Sequence, residues 1–540
     1  MNGSHLAKGL LCGMVFAGAW IAGCAPGGGG GGGGGDGNGN ANGNGAADII
    51  DTTPDDGATG VAPDASIRIT FGRAAVPGQV EWTAQPTVAA EETWSSDNIV
   101  VTLRPSTALA TQTDYSVSID GVQFADDSEL AESYQFSFTT AGQSPPVADK
   151  MALWTGETLL RGANIYQRRV YPELDGEEFM GTGAVGPPLT QDDFTRLAEY
   201  GANFVNISHP GLYAETPPYI LDEVIQDNLD SLLDMAAAAD LFAVITFRTG
   251  PGRSEFAFFW GQDTGTDPQG GWFAPSYYNN TVWTKQAAQD AWAQMWRYTA
   301  DRYKDNSIVV GYDLMCEPNA TEVFFGIWDE VTEFYPAQAG TLYDWNQFYP
   351  DVVAAIREVD TQTPILVEPT GWGAAVWLPY LEPTDDERTV YTIHQYEPSG
   401  YTHQPVDSLD ITYPGTLEGG ETFDQAWLDD LLARTVDDFV GEHGLPVAVN
   451  EYGPQRFEPG AGAYMDDLMD LFEQRGMNHV FWEWQPSWPE QQLYNDAFNF
   501  LHGADPDNHE DLDTSDHIEA VRKYWNRNTL RPSNVTFTGT

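Results

Sequence analysis

Between residues 48 and 141, apolar and polar side chains alternate in several short runs. Turn-forming residues separate the runs, and the period of two residues predicts β-strands with one buried face. Short strands at this spacing are typical of a sandwich of two sheets. The runs are Ser66–Phe71, Asn98–Leu103, Asp114–Ile119 and Tyr134–Thr139. No cluster of titratable residues stands out in this stretch, so we predict a spacer, with carbohydrate binding as a minor alternative.

From residue 150 to residue 528, strand-like and helix-like segments alternate. This pattern predicts a parallel sheet wrapped by helices, and eight such units fit one (β/α)8 barrel. The predicted strands are Leu159–Ile165, Asn203–Ser208, Phe242–Phe247, Ile308–Met315, Pro364–Val367, Val390–Tyr396, Pro446–Asn450 and His479–Trp484. The predicted helices are a first one capped by Thr190 and Asp193, then Asn228–Ala239, Lys285–Tyr303, Tyr343–Val359, Phe423–Val440, Tyr464–Arg475 and His517–Trp525.

Polar and aromatic side chains cluster where the predicted strands end. The carboxyl ends of barrel strands meet at one rim, where barrel enzymes place their functional groups. A purely structural barrel would not need so many hydrogen-bonding groups there, so we predict a functional site at this rim. Its candidate residues are Asn164, Asn206, His209, Arg248, Glu317, Asn319, Glu368, His394, Tyr396, Glu451, Trp482 and Trp484.

Two rim glutamates have similar settings, Glu317 in Met315–Asn319 and Glu451 in Val449–Gly453. Cleavage of a glycosidic bond needs at least two carboxyl groups, because one protonates the leaving oxygen while the other attacks the anomeric carbon. Here two separate strands supply them. A surface salt bridge is the alternative for either glutamate taken alone. We expect Tyr396 to hydrogen-bond the nucleophile and His394 to orient the acid or the sugar.

The composition of the 540-residue chain restricts its partners. The chain has 80 acidic and 24 basic residues and a net charge of −56, so it repels nucleic acid and anionic membrane surfaces. A neutral polymer is the more natural substrate. Aromatic residues make up 13% of the chain, which suits a cleft where sugars stack on rings, although aromatics also fill cores. The acidity fits a secreted protein, with a saline habitat as the alternative.

The N-terminal residues predict export. Residues 1–24 combine Lys8, the mostly apolar stretch Gly9–Ile21 and the box Ile21–Cys24, which together resemble a bacterial lipoprotein signal with Cys24 as the lipidated residue. A plain secretory signal cleaved near Ala25 is the alternative. We therefore expect a location outside the cytoplasm, at the bacterial outer membrane or cell surface through the lipid anchor alone, or in secreted form.

The remaining boundaries follow from composition. Residues 25–47 are rich in Gly and Asn and are predicted to form a disordered tether. Residues 142–149 are predicted to be a linker between residues 48–141 and residues 150–528, and residues 529–540 a C-terminal tail. Outside the signal only Cys316 remains, which excludes an internal disulfide in the folded part.

Two resemblances sharpen these predictions. Residues 48–141 resemble bacterial Ig-like domains, through Thr53–Val61 and Phe136–Thr140. Residues 150–528 resemble the catalytic barrel of glycoside hydrolase family 5, through the contexts of the two glutamates, the His-x-Tyr of strand six and Arg161–Asn164. The fold class is then α/β, a (β/α)8 TIM barrel with an N-terminal all-β Ig-like sandwich.

The second resemblance implies roles for individual residues. It implies that Glu317 is the acid/base and Glu451 the nucleophile of a retaining mechanism, and that Trp482 is a sugar platform. Two positions depart from the family pattern, because Cys316 and Asn206 stand where the family has Asn and Arg. A thiol is a weak donor. Our hypothesis is that Arg248, on the neighbouring strand, supplies the missing cation.

These observations predict a retaining glycosidase that acts on β-linked polysaccharide, with β-1,4-glucan as first choice and β-mannan as second. We expect it to be endo-acting. The rival interpretation is a non-catalytic surface glycan-binding protein on a degenerate barrel. We expect a monomer that needs no cofactor and no metal.

Several loop features are open at this stage. Aromatic residues of the long loops are candidate sugar subsites, of which about a third are expected to touch sugar; they are Phe259, Trp260, Trp272, Phe273, Tyr277, Tyr278, Trp283, Trp328, Trp372, Trp377 and Trp488. The acidic stretch Asp505–Asp513 has enough carboxylates to hold calcium, but it lacks the mid-loop glycine of an EF-hand, which favours a solvated loop.

Overall fold

The computed structural model describes residues 49–140, without positions 55, 62–64, 96, 97, 106, 108, 127 and 131, and residues 149–537, without 172–180, 182, 256–278, 329, 485–495 and 536. The chain divides into two compact units that separate near residue 145. The predicted signal, the tether, Cys24 and most of the linker lie outside the described residues.

The described part of the first unit is a sandwich of two four-stranded sheets. Its strands are β1 Ile49–Thr53, β2 Ala58–Val61, β3 Ile67–Phe71, β4 Ala75–Gln85, β5 Ala90–Trp94, β6 Val100–Pro105, β7 Asp114–Phe124 and β8 Tyr134–Thr140. One sheet has the order β1-β3-β6-β5 and the other β2-β8-β7-β4. Alternate residues such as Ile67, Ile69 and Phe71 are buried between the sheets. The predicted sandwich is confirmed.

The second unit is built around a closed barrel of eight parallel strands. The strands of this unit are β9 Arg161–Tyr166, β10 Arg168–Arg169, β11 Val185–Gly186, β12 Phe204–Pro210, β13 Phe242–Thr249, β14 Val309–Asp313, β15 Ile365–Val367, β16 Thr389–Gln395, β17 Gly415–Thr416, β18 Thr422–Phe423, β19 Val447–Tyr452 and β20 His479–Phe481. The barrel has the order β9-β12-β13-β14-β15-β16-β19-β20, and β20 pairs with β9 to close it. The predicted (β/α)8 architecture is confirmed.

Helices connect the barrel strands and cover their outer face. They are α1 Gln191–Glu199, α2 Glu223–Ala238, α3 Gln286–Tyr303, α4 Ala320–Phe325, α5 Val331–Phe334, α6 Trp345–Arg357, α7 Ser399–Thr402, α8 Gln425–Leu432, α9 Asp438–His443, α10 Ala461–Gln474 and α11 Asp516–Trp525. A π-helical turn, Ala433–Asp437, joins α8 to α9. Helix α1 begins at the predicted capping box, where the Thr190 N–H donates to the Asp193 carboxylate at 2.7 Å.

The amino-terminal end of the barrel is closed by apolar residues. The 3-10 turn Lys150–Leu153 leads into Trp154, whose indole N–H donates to the Val310 carbonyl at 2.9 Å. Leu530 is 2% exposed and packs in the same cluster. The segment predicted as a C-terminal tail therefore packs on the barrel as far as it is described, because Leu530, Val535 and Phe537 are apolar enough to cover this end.

Four barrel strands extend further than predicted, since β9, β12, β13 and β19 end at Tyr166, Pro210, Thr249 and Tyr452. His209, Arg248 and Glu451 consequently lie within strands, as Asn164 and Asn206 do. Polar residues are tolerated inside these strands because they are paired with one another, as described below.

No helix among the described residues combines the length and the apolar character needed to cross a membrane.

Candidate active site

Glu317 follows β14 in a tightly held backbone conformation. Its φ is +52°, a left-handed value that is unfavourable for a residue with a side chain. Its N–H donates to Oε2 of Glu368 at 2.7 Å, and Arg253 donates to the carbonyls of Cys316 and Glu317 at 2.7 Å each. The side chain of Glu317 keeps 14% of its surface exposed, so it faces the open end of the barrel.

Helix α3 supports the same strand end from outside. The indole N–H groups of Trp292 and Trp296 both donate to the carbonyl of Leu314, at 3.1 and 2.7 Å. The two residues lie one helical turn apart, so both rings reach the same carbonyl. This arrangement fixes the chain just before Glu317.

Glu451 lies within β19 and is 3% exposed. Its Oε2 accepts a hydrogen bond from the Tyr396 hydroxyl at 3.1 Å and lies 3.2 Å from Nδ1 of His394. The Cys316 thiol donates to Oε1 at 3.6 Å. Burial, with the charge of Glu317, raises the pKa of Glu451 to about 7, against the opposing charges of His394 and Arg248.

His394 joins the two glutamates. Its Nδ1 lies 2.9 Å from Oε1 of Glu317 and 3.2 Å from Oε2 of Glu451, while its Nε2 lies 3.1 Å from Oε1 of Glu368. Burial opposes protonation of the imidazole, but the charges of Glu368 and Glu451 outweigh it and raise the pKa of His394 well above its usual value. The imidazole therefore faces three carboxylates, which favour its protonated form.

A layer of paired amides and carboxyls lies beneath the glutamates. Asn206 donates to Asn164 at 2.7 Å, and Asn164 donates to the Asn450 carbonyl at 2.8 Å. The Asn206 side-chain oxygen accepts from the Thr246 hydroxyl. Asn164 and Asn206, both predicted as site residues, thus lie below the pair and stabilise the strands that carry it.

Asp313 and Glu368 lie in the same layer, and their pKa values shift in opposite directions. Asn450 donates to Asp313 at 2.7 Å and to Glu368 at 3.0 Å. Burial and the nearby charge of Glu368 raise the pKa of Asp313 well above its usual value. Burial opposes ionisation of Glu368 as well, but the His394 cation and the N–H of Glu317 keep its pKa below the usual value. The surroundings therefore favour the protonated form of Asp313 and the ionised form of Glu368.

Arg248 points into the site from β13. Its guanidinium donates to Sγ of Cys316 at 3.7 Å and to Glu255 at 3.5 Å, and the charge of Arg248 lowers the pKa of Glu451, in opposition to burial. The guanidinium also lies over the rings of Tyr166, at 4.9 Å, and Trp482, at 5.5 Å. The effect of this charge on Glu451 agrees with our hypothesis that Arg248 supplies the missing cation, and the hypothesis stays a prediction.

Tyr166 and Glu255 are site residues that sequence reasoning missed. The Tyr166 hydroxyl donates to Glu255 at 3.0 Å, and both side chains are buried beside Arg248. Their signal was available, because Tyr166 ends β9 and Glu255 comes two residues after Arg253 in the segment that follows β13.

Trp482 follows β20 and is only 3% exposed, with its ring packed edge-on against Tyr166 at 6.0 Å between centroids. Residues 485–495, which follow this strand, lie outside the described residues.

The structure does not bring His209 to the glutamates. Its Nδ1 lies 2.7 Å from the Pro210 carbonyl and its Nε2 lies 2.9 Å from the side-chain oxygen of Asn228 on α2. Burial lowers the pKa of His209 to about 4. The prediction of a site role for His209 is corrected to a structural one, because this end of β12 turns the side chain toward the helix layer.

The aromatic loop residues divide into core and surface. Trp283 and Trp377 are fully buried, so these two predicted subsites are core residues. Trp328 is 40% exposed and stacks on Trp372, with ring centroids 6.1 Å apart and an interplanar angle of 9°. The backbone N–H of Trp372 donates to the Pro318 carbonyl, which places the Trp328–Trp372 pair beside Glu317. The candidates between 256 and 278, and Trp488, lie outside the described residues.

Among the described residues, three groups of side chains are close enough to suggest a metal site. Asp496, His502 and His509 form one of them, beside the acidic stretch Asp505–Asp513. The other two share His394 and consist of Glu317, His394 and Glu451, and of Cys316, Glu368 and His394. A metal would need a lone pair on the imidazole. Both ring nitrogens of His394 instead face carboxylates as a cation would, so these residues fit a hydrogen-bonded site better than a metal.

The acidic stretch Asp505–Asp513 is organised by Arg456. This guanidinium donates to the carbonyls of Asp505 and Asn508 at 2.6 and 2.9 Å, and to Asp496 at 3.0 Å. Asp496 also contacts His502 and His509 at 2.7 Å each. Because Arg456 already supplies positive charge to these oxygens, a solvated loop remains our prediction over a calcium site.

The barrel and its paired glutamates define the class of a glycoside-cleaving (β/α)8 enzyme. Residues 173–487 match the family model described as cellulase, glycosyl hydrolase family 5, and residues 44–140 match that of a bacterial Ig-like domain. The first match spans more than half of the chain, so the chain belongs to glycosyl hydrolase family 5.

Named relatives agree with this family. Cellodextrinase A of Ruminococcus flavefaciens is 22% identical over 268 residues, which cover 49% of this chain and 68% of that protein. Endoglucanase C of Acetivibrio thermocellus is 24% identical over 249 residues, which cover 44% of this chain and 60% of that protein. Endoglucanase Cel5A of Thermotoga maritima has a similar structure, with a TM-score of 0.47, 17% identity and coverage of 69% of this chain and 99% of that one.

Proposed function

We propose that this protein is an endo-acting retaining glycosidase that cleaves β-1,4-glucan by double displacement. Glu317 protonates the glycosidic oxygen while Glu451 attacks the anomeric carbon and forms a glycosyl-enzyme. Glu317, now ionised, then removes a proton from the water that releases the sugar. β-Mannan is the second-choice substrate. Neither step requires a cofactor.

The observation that carries the proposal is the spacing of the two glutamates. An oxygen of Glu317 and an oxygen of Glu451 lie within 4.8 Å of one another, on either side of Nδ1 of His394. Retaining glycosidases separate their carboxyl groups by about 5–5.5 Å, whereas inverting enzymes need about 6.5–9.5 Å to admit a water molecule. The spacing supports direct attack by Glu451.

The surroundings of the pair suit these roles. The proposed nucleophile is buried between Tyr396, His394 and the thiol of Cys316, all of which favour its ionised form. The proposed acid/base is partly exposed, as a group that exchanges protons with leaving group and water must be. The stacked Trp328 and Trp372 lie on the Glu317 side, where they offer an apolar face to the leaving-group sugars.

The location is part of the same proposal. A lipid anchor at Cys24 and the tether of residues 25–47 would hold the enzyme at the cell surface, where an insoluble or polymeric substrate is found. The Ig-like sandwich, over residues 48–141, would act as a spacer, and the protein would work as a monomer.

The direct test compares the wild type with Glu451→Gln on soluble β-1,4-glucan and on β-mannan. We expect the wild type to release reducing ends and the variant to lose at least about 1,000-fold in kcat/KM, because the nucleophile is removed. A matched control is Glu358→Gln, an exposed glutamate on the outer surface paired with Arg297, which should retain full activity.

Proton NMR of the first product settles the stereochemistry. Retention predicts that the β-anomer appears first and mutarotates later. Wild-type binding to the glucan without any turnover would favour the non-catalytic glycan-binding alternative, and an initial α-anomer would contradict the double displacement.

A further inference from the structure

Glu368 is a buried acidic residue of the site that has no role in the mechanism proposed above. It follows β15, is 1% exposed and touches neither open space nor the reacting position. Its contacts are with the groups that hold the reacting glutamates. A buried carboxylate is unfavourable unless it is fully paired, so its partners indicate what it does.

The first partner is the backbone of the proposed acid/base. Oε2 of Glu368 accepts the Glu317 N–H at 2.7 Å, and Glu317 has the left-handed φ of +52°. A residue other than glycine is unfavourable in this region and needs compensation from its surroundings. A charge-assisted hydrogen bond to this N–H supplies such compensation.

The second partner is the imidazole that joins the glutamates. Oε1 of Glu368 lies 3.1 Å from Nε2 of His394 and accepts from the Asn450 amide at 3.0 Å. An acceptor at Nε2 keeps a proton on that nitrogen. Since Nδ1 of His394 also needs a proton to donate to Glu317 and Glu451, the ionised Glu368 favours the doubly protonated ring.

Gly373 packs closely on both Glu368 and His394. A methyl group added at Gly373 would lie 2.8 Å from Oε2 of Glu368, so the carboxylate would have to shift, and 3.1 Å from Cγ of His394, a tight contact. Gly373 also has a φ of +70°, which favours glycine. The loop after β15 therefore contacts the carboxylate and the ring at the same point.

We propose that Glu368 is a positioning residue for the glycosidase reaction, which fixes the backbone of Glu317 and holds His394 as an imidazolium that faces both reacting glutamates. The proposal rests on the function proposed above for the same site. Glu368 acts through Glu317 and His394 and touches no reacting atom.

The groups that face His394 come from three strands. Glu317 and Cys316 follow β14, Glu368 follows β15, and Glu451 lies in β19, while Tyr396 follows on its own strand. Among these, Glu368 is the carboxylate that contacts Nε2. When Glu368 is replaced by a neutral residue, the imidazolium has no carboxylate at Nε2, so the ring should lose its proton at lower pH.

The first test is the protonation state of His394, measured by NMR of the full chain labelled at the histidine rings and assigned with His394→Gln. In the wild type we expect an imidazolium at about pH 8, where an ordinary histidine is neutral. In Glu368→Gln and in Gly373→Ala we expect a neutral ring at the same pH. A neutral wild-type ring, or an unchanged imidazolium in Glu368→Gln, overturns the proposal.

These spectra require no turnover, so they separate this proposal from the proposed function. The matched control is Glu458→Gln. Glu458 is also 1% exposed, and it also accepts a backbone N–H, from Gln404 at 2.7 Å, and a side-chain amide. It is expected to leave the His394 signal and the activity unchanged.

The second test uses leaving groups. On cello-oligosaccharide, which needs protonation of its leaving oxygen, Glu368→Gln should lower kcat/KM by about 100-fold. On 2,4-dinitrophenyl cellobioside, whose leaving group needs no proton, the loss should be at least about tenfold smaller. The acidic limb of kcat/KM should move to higher pH, because Glu451 loses a cationic neighbour. Equal losses on both substrates with an unmoved pH profile would show a merely structural role.

Discussion

At the scale of single residues, the site differs from its family pattern in the group that precedes the acid/base. Cys316 places a thiol 3.6 Å from Glu451, where an amide would donate a stronger hydrogen bond. Burial raises the pKa of this thiol well above its usual value, so the group stays neutral and remains a donor. The ionised form of Glu451, the proposed nucleophile, is therefore stabilised mainly by His394, Arg248 and the Tyr396 hydroxyl.

Arg248 carries a prediction at this scale. Glu451 must be ionised to attack, and its pKa is about 7, so kcat/KM should rise with pH through about 7 in the wild type. Arg248→Met removes a charge that opposes the effect of burial on the pKa of Glu451. This pKa should therefore rise, and the acidic limb of the profile should move to higher pH. The pH profile of kcat/KM on an aryl β-cellobioside measures this shift.

Arg248→Lys is the matched control for that prediction, since it retains the charge but not the planar contact with the rings of Tyr166 and Trp482. The acidic limb of kcat/KM should lie closer to the wild-type pH in Arg248→Lys than in Arg248→Met. Identical profiles for the Met and Lys variants would mean that Arg248 acts through packing and not through its charge.

At the scale of elements, β9 is joined to α10 by a buried ion pair. Arg161 donates to Glu473 at 2.8 Å, and His479, at the start of β20, lies 3.2 Å from the same carboxylate. Burial opposes ionisation of Glu473, but these partners hold its pKa at about 2. This contact ties the strands that close the barrel to the helix layer.

The stability of that contact should depend on pH. The pKa of Glu473 is lower in the folded state than the ordinary 4.5, so its contribution is fully present above about pH 4.5 and is lost as the pH falls through about 2. We expect Glu473→Gln to lower the free energy of unfolding by about 3 kcal/mol at neutral pH and by less near pH 2.

Chemical denaturation of the barrel at the two pH values checks this expectation. Glu358→Gln again serves as the control, since its exposed pair with Arg297 should contribute less than about 1 kcal/mol. A loss for Glu473→Gln that does not change with pH would contradict the assigned role of its charge.

Element boundaries show what periodicity can and cannot predict. All eight barrel strands and the main helices were predicted, because apolar runs and helical spacing record which faces are buried. The ends of β9, β12, β13 and β19 were placed too early, since polar residues such as His209, Arg248 and Glu451 normally mark strand ends. Asn164 and Asn206 are buried inside β9 and β12 because Asn206 donates a hydrogen bond to Asn164, and a partner 42 positions away leaves no local pattern.

At the scale of the whole molecule, the main electrostatic feature is the net charge of −56. Mutual repulsion of the acidic groups disfavours the compact state, and salt screens it over about 10 Å at 0.1 M. We expect the Tm of the full chain to rise by roughly 5 °C between about 0.05 M and about 1 M NaCl. Differential scanning calorimetry measures this change.

Sucrose is the control for that experiment, because it favours compact states without screening charge. It should produce the same rise in Tm at both salt concentrations. A Tm that falls or stays constant with NaCl would argue against adaptation to a saline habitat.

The sequence by itself determined the two architectures, because these rest on local patterns of burial and turn residues. The export signal and the reacting pair stay predictions from local motifs. Only the tertiary structure decided which rim residues meet. It turned His209 toward α2, buried Trp283 and Trp377 in the core, and brought Tyr166 and Glu255 to Arg248. It also gave Glu368 its place behind His394. Such contacts join strands far apart in the chain, and closure of the barrel alone sets their distances.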